Sequence, residues 1–310
     1  MQMIELKIAI PTYNRPDYIQ RQVRDILPQL RKGVSLVVYD NSSDIPVESY
    51  FSQEEKKCFS IVRNKFNIGG AANIGKCLAE NGDSGWIWMP GDDDQIEDNA
   101  VDVILGTICN HRDCCYINFG QKKTTETENF HDFLNFLKII GALNNSFFQS
   151  SCLFNMDKLK PYVLFYYEFL STWMGQIAMV IKYLEANNQE HCFFTEDRIV
   201  KQANVGGWSH LEMIVASSVF MDKFHNQKAL MKGTLFKAIG DMGFTHLAQS
   251  PASISEKRHY RRFLTHKLGF WNVVKYNRVT LCQYVLSIIV PKASFEHIRS
   301  FAASRYKRKL

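Results

Sequence analysis

The sequence predicts an α/β fold, a mostly parallel sheet with helices on both faces, followed by a helical and basic C-terminal portion. Three observations carry this. Through the first 120 residues, short apolar runs closed by proline, asparagine or aspartate alternate with segments of helical period. Strand, helix, strand at such short spacing makes parallel neighbours in one sheet. From residue 211 onward the pattern is helical, without repeats or low-complexity segments, and the positive charge gathers there.

The elements follow in order. "LKIAIP" (6–11) is a strand closed by proline, and "RPDYIQRQVRDILPQL" (15–30) carries Tyr18, Val23, Ile26 and Leu27 near helical spacing. "VSLVVYD" (34–40) is a second strand, rich in β-branched residues, and "FSIVRN" (59–64) a third. "GGAANIGKCLAE" (69–80) reads as a helix entered through glycines, and "GWIWMP" (85–90) as a fourth strand. "EDNAVDVILGTICN" (97–110) is a helix with acids at its favourable N-terminal end, and "CCYINFG" closes the series. Further on, "NFHDFLNFLKIIGAL" is helical, "SFFQSSCLFN" (146–155) one more strand, "STWMGQIAMVIKYLEANN" (171–188) a helix, and "CFFTEDRIV" (192–200) a strand. The expected division is an α/β domain over 1–210, with halves 1–120 and 121–210, and a helical region over 211–310.

The 310 residues, 46% of them hydrophobic, suffice for a sizeable core. The start lacks a signal-peptide pattern, and no run reaches the roughly 18 apolar residues of a membrane-spanning helix, so a cytoplasmic protein is expected. The eight cysteines are scattered. "CNHRDCC" (109–115) lacks the spaced cysteine pairs of a zinc site and reads as a helix end, a turn and a buried strand. Residues 256–310 hold thirteen Lys or Arg against Glu256 and Glu296, so their net charge is +11 while residues 1–255 carry −5. Such a tail suits an anionic membrane surface, with a solvated helical face as the plainer account. No nucleic-acid motif accompanies the charge, so no nucleic-acid partner is expected.

The chemistry gathers where ligands of parallel sheets bind, at the carboxyl ends of the strands. "PTYNR" (11–15), "DNSSD" (40–44), "NKFNIGG" (64–70) and "GDDD" (91–94) each follow a strand. Asp92, Asp93 and Asp94 repel one another unless a positive partner is present. Hard carboxylate oxygens suit Mn²⁺ or Mg²⁺ bridging to a phosphate; a solvated acidic helix start is the alternative.

"IAIPTYNR", the strand-end aspartate some thirty residues later, "NIGGAANIG" and the acidic cluster after the fourth strand together resemble the GT-A glycosyltransferases of the large family-two group. "WIWMPGDDD" is similar to bacterial O-antigen and capsule sugar transferases, the abequosyltransferase type among them. The likeness is good over 5–120, loose over 145–210 and hardly reaches the tail. It implies a GT-A fold and a metal-dependent, inverting transfer from a nucleoside diphosphate sugar to a saccharide acceptor, expected to be lipid-linked, on the inner face of the cell membrane. Pro11, Thr12 and Tyr13 then match the segment around base and ribose, with Arg15 counted among the donor contacts. Asp40 matches the acid that accepts from the base, a strand-end turn former being its competing role. Asn67, Gly69 and Asn73 match the family's stretch near the nucleotide, although a helix cap also explains Asn67. Ala72 stands where members often carry arginine. Asp92 and Asp94 satisfy the acidic signature with Asp93 beside them; a shifted alignment puts Gly91 at the first acid and leaves Asp93 and Asp94. Asp94 is the expected metal ligand either way, with Asp92 and His210 as further candidates.

The family's general base is an acid preceding a helix, and the expected Glu-Asp pair is absent. Glu168 in "YYEFLSTWMGQ" is the nearest candidate, with Glu196 and Asp197 of "TED" as the others. Two further classes stand beside this reading. A non-catalytic nucleotide-sugar binding module would retain the donor loops without a base. A sugar-phosphate nucleotidyltransferase would need a glycine-rich, arginine-containing loop after the first strand, which "PTYNRPDY" lacks. A dinucleotide dehydrogenase is excluded because "GGAANIG" does not fit G-x-G-x-x-G.

Overall fold

The computed structural model describes residues 4–81, 85–139, 142–202, 210–223 and 229–289. The chain forms two compact units: one of residues 1–136 and 144–207, the other of 137–143 and 208–310. The first is built on an eight-stranded sheet. Its strands in chain order are β1 (Leu6–Thr12), β2 (Val34–Asp40), β3 (Ser60–Arg63), β4 (Trp86–Trp88), β6 (Cys114–Asn118), β7 (Thr125–Thr127), β8 (Cys152–Asn155) and β9 (His191–Phe194). A separate two-stranded ribbon joins β5 (Gln95–Ile96) to β10 (Val200–Gln202). The helices here are α1 (Pro16–Ile26), α2 (Gly70–Glu80), α3 (Ala100–Asn110), α4 (Phe130–Leu137), α5 (Ala142–Phe147), α6 (Met156–Leu159), α7 (Val163–Glu168) and α8 (Gly175–Ala186), of which α4 and α5 each lie partly in the segment assigned to the second unit.

The sheet order is β3-β2-β1-β4-β8-β6-β9-β7. The first four strands are parallel, as are β6 and β9, while β8 runs antiparallel to both β4 and β6 and β7 antiparallel to β9. The antiparallel insertion of β8 has no signature in the apolar pattern, which does not encode direction. The expected strand 146–155 shrinks to 152–155, because Gln149–Ser151 coil into a single tight helical turn. Likewise the run 192–200 splits into β9 and β10 around the polar Thr195–Arg198.

Ile8, Ile10, Val38, Trp88, Ile104, Ile117 and Leu153 are buried together in one core that fixes the sheet. Burying each such side chain stabilises the fold by about 1.5–3 kcal/mol. β1 pairs with β4 only over Leu6–Ile8, although it continues along β2 to Thr12. Pro11 therefore sits where one flank of β1 has no neighbouring strand, and its missing N–H leaves no bond unmade. The gap left between β1 and the end of β4 is where the polar loops collect.

The second unit comprises α9 (His210–Lys223), α10 (Ala229–Gln249), α11 (Ile254–Leu268), α12 (Phe270–Tyr276) and α13 (Arg278–Ile289). α10 packs against the other four. Its buried Asp241 accepts hydrogen bonds from Lys237 (2.7 Å), Thr280 (2.8 Å) and Asn277 (3.1 Å), tying α10 to α13. α11 starts with a capping box in which Ser253 and Glu256 satisfy each other's backbone N–H groups. Among the described residues, no helix is long and apolar enough to cross a membrane.

Candidate active site

The four loops foreseen at the strand ends form two hydrogen-bonded networks. The first surrounds the aspartates. Thr12, the last residue of β1, donates its hydroxyl to Asp92 at 2.6 Å across the gap. Arg15, entering α1, places one guanidinium nitrogen 2.9 Å from both Asp92 and Asp93. The turn's backbone is fixed by the buried face of α1: Gln22 donates to the Gly91 carbonyl at 2.8 Å, and Arg21 to the carbonyls of Asp93 and Asp94 at 3.1 and 3.2 Å. On the far side Ser150 accepts from the Gly91 N–H at 2.8 Å and donates to the Asp94 carboxylate. The carbonyl of Ser150 in turn accepts from the Trp88 indole at 2.7 Å, which locks it to β4.

Asp92 and Asp94 are 5% and 4% exposed, and Asp93 is the more open of the three. Burial raises the Asp92 pKa, and the Thr12 hydroxyl and Arg15 charge, which pull the other way, do not fully offset it. Burial acts to lower the Arg15 pKa, but Asp92 and Asp93 outweigh it and hold the guanidinium above its ordinary value. A side chain at Gly91 would have its Cβ 2.8 Å from an Asp94 oxygen. Asp92 and Asp94 are the buried acids of the turn, and Gly91 leaves room for the Asp94 carboxylate.

The second network begins at Asp40, which is fully buried. One oxygen accepts from the Ser43 N–H at 2.8 Å; the other accepts from the Val47 N–H at 3.3 Å and from Arg63. Asp40 thus organises the loop after β2, the turn-forming role weighed for a strand-end acid. This loop is locked to the one after β1: Asn14 donates to Ser43 and Asp44 and accepts from the Asp44 N–H. Asn14 and Ser42 both have positive φ, at 50° and 65°, a strain held by these contacts. Beyond them lies a chain of asparagines. Asn41 donates to Asn67 (2.8 Å), Asn64 donates to Asn41 and Asn73 (both 2.9 Å), and Asn73 donates to the Tyr39 carbonyl (2.9 Å). Asn67 also accepts from the Gly69 N–H, so it folds the turn before α2 and does not cap the helix. Gly69 holds φ at 88°, which glycine alone adopts without strain.

Ala72 leaves the expected arginine position empty of charge. One helical turn later Lys76 donates to Asn64 at 2.6 Å and brings a cation to the asparagine network. Of the remaining residues, Tyr13 is 41% exposed at the mouth and Pro11 is partly covered.

The base candidates fall on two elements of the fold. Glu168 is the exposed last residue of α7, a helix fastened to α2 by the Tyr166 hydroxyl on the Ala71 carbonyl at 2.8 Å. No acid immediately precedes α8. Met174 stands there, after Trp173, which has φ at 57° and whose ring lies 3.4 Å from a Cβ built on Gly70. Glu196 and Asp197 occupy the turn from β9 to β10, and β10 pairs with β5 directly after Asp94. The Asp197 carboxylate accepts from Thr195 at 2.9 Å. His210 opens α9, and its side chain lies outside the described residues, as do residues 203–209, where the sequence predicts a closing loop.

Arg21, Gln22, Ser150, Arg63 and Lys76 were not foreseen. Gln22 had a signal: a polar residue between Ile19 and Val23 on the apolar stripe of α1 must serve a buried partner.

The aspartate turn is thus clamped at the β1–β4 gap, beside the loops after β1 and β2 that Asn14 locks together. Residues 7–167, more than half of the chain, match the family model described as glycosyl transferase family 2. The chain belongs to that family. It is a glycosyltransferase with a GT-A fold. No curated protein sequence matches it. Solved structures that share the fold include residues 1–349 of S. aureus TarS, at 14% identity and TM-score 0.58, covering 86% of this chain and 80% of that one. The same TarS portion in complex with UDP-GlcNAc gives 11% identity and TM-score 0.58, covering 92% and 90%. The mannosyltransferase PcManGT from Pyrobaculum calidifontis, in complex with GDP-Man and Mn²⁺, gives 14% and 0.52, covering 92% and 86%.

Proposed function

We propose that this glycosyltransferase moves a sugar from a nucleoside diphosphate donor to a saccharide acceptor with inversion, using Mn²⁺ or Mg²⁺ held by Asp94 and Asp92. The observation that carries the metal is the donor set: two buried carboxylates and a third beside them, all hard oxygens, on one turn fixed by α1 and Ser150. Burial raises the Asp92 pKa and Arg15 offsets only part of that, so a further cation would favour the ionised carboxylate. A divalent ion held there would supply that charge and offset charge on the leaving diphosphate. UDP-GlcNAc in the TarS complex and GDP-Man with Mn²⁺ in the PcManGT complex support the donor class.

The chain's own residues supply the rest. Tyr13 and the asparagine loop around Asn67 and Gly69 receive base and ribose, while Asp40 holds the wall behind them. Arg15 is placed to turn from the aspartates to the diphosphate oxygens. In the transfer the acceptor oxygen bonds to the anomeric carbon as the bond to diphosphate breaks, and the acceptor proton passes to a carboxylate, with Glu168 the first candidate.

The acceptor is proposed to be lipid-linked, of the O-antigen or capsule type, with α11–α13 against an anionic membrane. Phe270 and Trp271 are 58% and 79% exposed, and Arg262, Lys267, Lys275 and Arg278 are exposed nearby in sequence. Aromatic and basic side chains together favour such a surface, at about 1 kcal/mol per Lys or Arg.

The test is calorimetric titration of UDP, CDP, dTDP and GDP with and without Mn²⁺. Binding of one that needs metal and vanishes in Asp94→Ala supports the reading. A folded protein that binds none overturns it.

A further inference from the structure

We propose that His111, Cys114, Glu126 and His191 form a second metal site, specific for Zn²⁺, which fastens the edge of the sheet far from the sugar-transfer chemistry. The sheet register creates this cluster. Cys114 on β6 pairs with His191 on β9, and Glu126 on β7 pairs with Phe193, two residues beyond His191. Cross-strand partners and residues two apart point to the same face, so Cys114, His191, Phe193 and Glu126 share one face. The helix α3 ends one residue earlier than His111, whose ring stacks on Phe193 with centroids 3.6 Å apart and planes 15° from parallel. Phe193 thereby aims His111 into the group.

The distances suit ligands without a metal between them. His191 Nδ1 lies 3.1 Å from one Glu126 oxygen and His111 Nδ1 3.4 Å from the other. One ligand atom each of His111, Cys114 and Glu126 falls within 4.8 Å of the others. Zn–N and Zn–S bonds of about 2.0–2.3 Å set tetrahedral edges of roughly 3.3–3.7 Å; His111, Cys114 and Glu126 lie near that spacing, and His191, held by Glu126, turns toward Cys114 to become the fourth ligand. Imidazole, thiolate and carboxylate together select zinc over the magnesium or manganese suited to the aspartate turn. Zinc binds the thiolate form, so binding releases the Cys114 proton.

The position gives the role. Cys114 opens β6, level with Asn155, the partner of Trp86 at the start of β4; the aspartates follow the other end of β4. The cluster therefore sits at the opposite sheet edge from the aspartates. It joins the end of α3, β6, β9 and the edge strand β7, which is three residues long. None of this depends on the nucleotide or on the aspartate metal. It was invisible in "CNHRDCC", which supplies only two of the four ligands; Glu126 and His191 arrive through the fold.

The experiment uses the full chain carrying Asp92→Asn and Asp94→Asn, stripped with chelator and titrated with Zn²⁺ and separately with Co²⁺. The expected result is one equivalent of Zn²⁺, at least tenfold tighter than Mn²⁺, with proton release and a higher melting temperature. Co²⁺ should give a near-ultraviolet thiolate charge-transfer band. Cys114→Ser should remove that band. The half-exposed His191→Ala, which leaves the buried strand intact, should weaken Zn²⁺ binding at least tenfold. Absence of stoichiometric binding, a missing thiolate band, or binding unaltered in His191→Ala would each overturn the site.

Discussion

Gly91→Ala adds one methyl group to the turn that presents the aspartates, and the structure fixes its consequence. The new Cβ lies 2.8 Å from an Asp94 oxygen and 3.2 Å from an Asp93 oxygen, against an ordinary contact of 3.4 Å or more. Gly91 does not hold positive φ, so the backbone accepts alanine and the whole cost falls on the carboxylates. Asp94 cannot simply swing away, because Ser150 holds it while also accepting from the Gly91 N–H. Overpacking at such a site costs about 2 kcal/mol. In a unit of this size that lowers the melting temperature by about 4–8 °C. Asp94 must move about 0.6 Å to relieve the contact, and displaced metal ligation typically weakens binding about 10–100-fold. The assay is thermal melting together with calorimetry of Mn²⁺ and nucleoside diphosphate. Gly106→Ala is the control: its Cβ meets nothing within 4 Å on the helix α3, so it should stabilise by about 0.5–1 kcal/mol. A Gly91→Ala protein that melts lower but binds metal and nucleotide as well as wild type would refute Asp94 as a ligand.

Three further outcomes are expected. The folded-state pKa of Asp92 lies above its unfolded value, so its stabilising contribution is complete at low pH and is lost as pH rises through the folded pKa. Asp92→Asn should therefore melt higher than wild type at pH 7, with the difference closing as pH approaches about 4. Glu168→Gln should lower transfer about 10²-fold or more while donor affinity is unchanged, read by calorimetry beside turnover; normal turnover would remove Glu168 as base. Trp271→Ala should reduce cosedimentation with anionic vesicles several-fold, and binding of the wild type should fall with added salt.

How much was legible in the sequence depended on whether a signal was local. The order of strands and helices through residue 110 followed from apolar periodicity, and the four strand-end loops did fall at one edge, because parallel strands end together. Direction was not legible: β8 reverses between β4 and β6, and "SFFQSSCLFN" carries nothing to say so. Its first half failed as strand for a chemical reason. Ser150 spends its N-terminal neighbourhood on the aspartate turn and the Trp88 indole, and the chain coils there to reach both. Asp40 matched the acid expected to read a base, and the structure shows it engaged by Ser43, Val47 and Arg63. Contacts between residues 23 or 77 positions apart leave no trace in spacing, which is why Arg63 and the Arg15–aspartate pairing had to come from the fold.

That pairing answers what lets Asp92, Asp93 and Asp94 stand side by side. Arg15 is the counter-charge of Asp92 and Asp93, and it occupies oxygens that a divalent ion would take. The two cations therefore compete, unless Arg15 has somewhere better to go. A diphosphate provides that place, since guanidinium binds phosphate oxygens through charge-assisted, commonly bidentate bonds, which its single nitrogen on the aspartates does not form. Arg15→Ala should then act with opposite sign on two measurements. Mn²⁺ alone should bind several-fold more tightly, because nothing displaces it from Asp92. The nucleoside diphosphate with Mn²⁺ should bind about 10–100-fold more weakly, the loss of a charge-assisted contact worth about 1.5–3 kcal/mol. If both affinities fall together, Arg15 merely holds the turn in shape, and release of the arginine upon donor binding is not part of the mechanism.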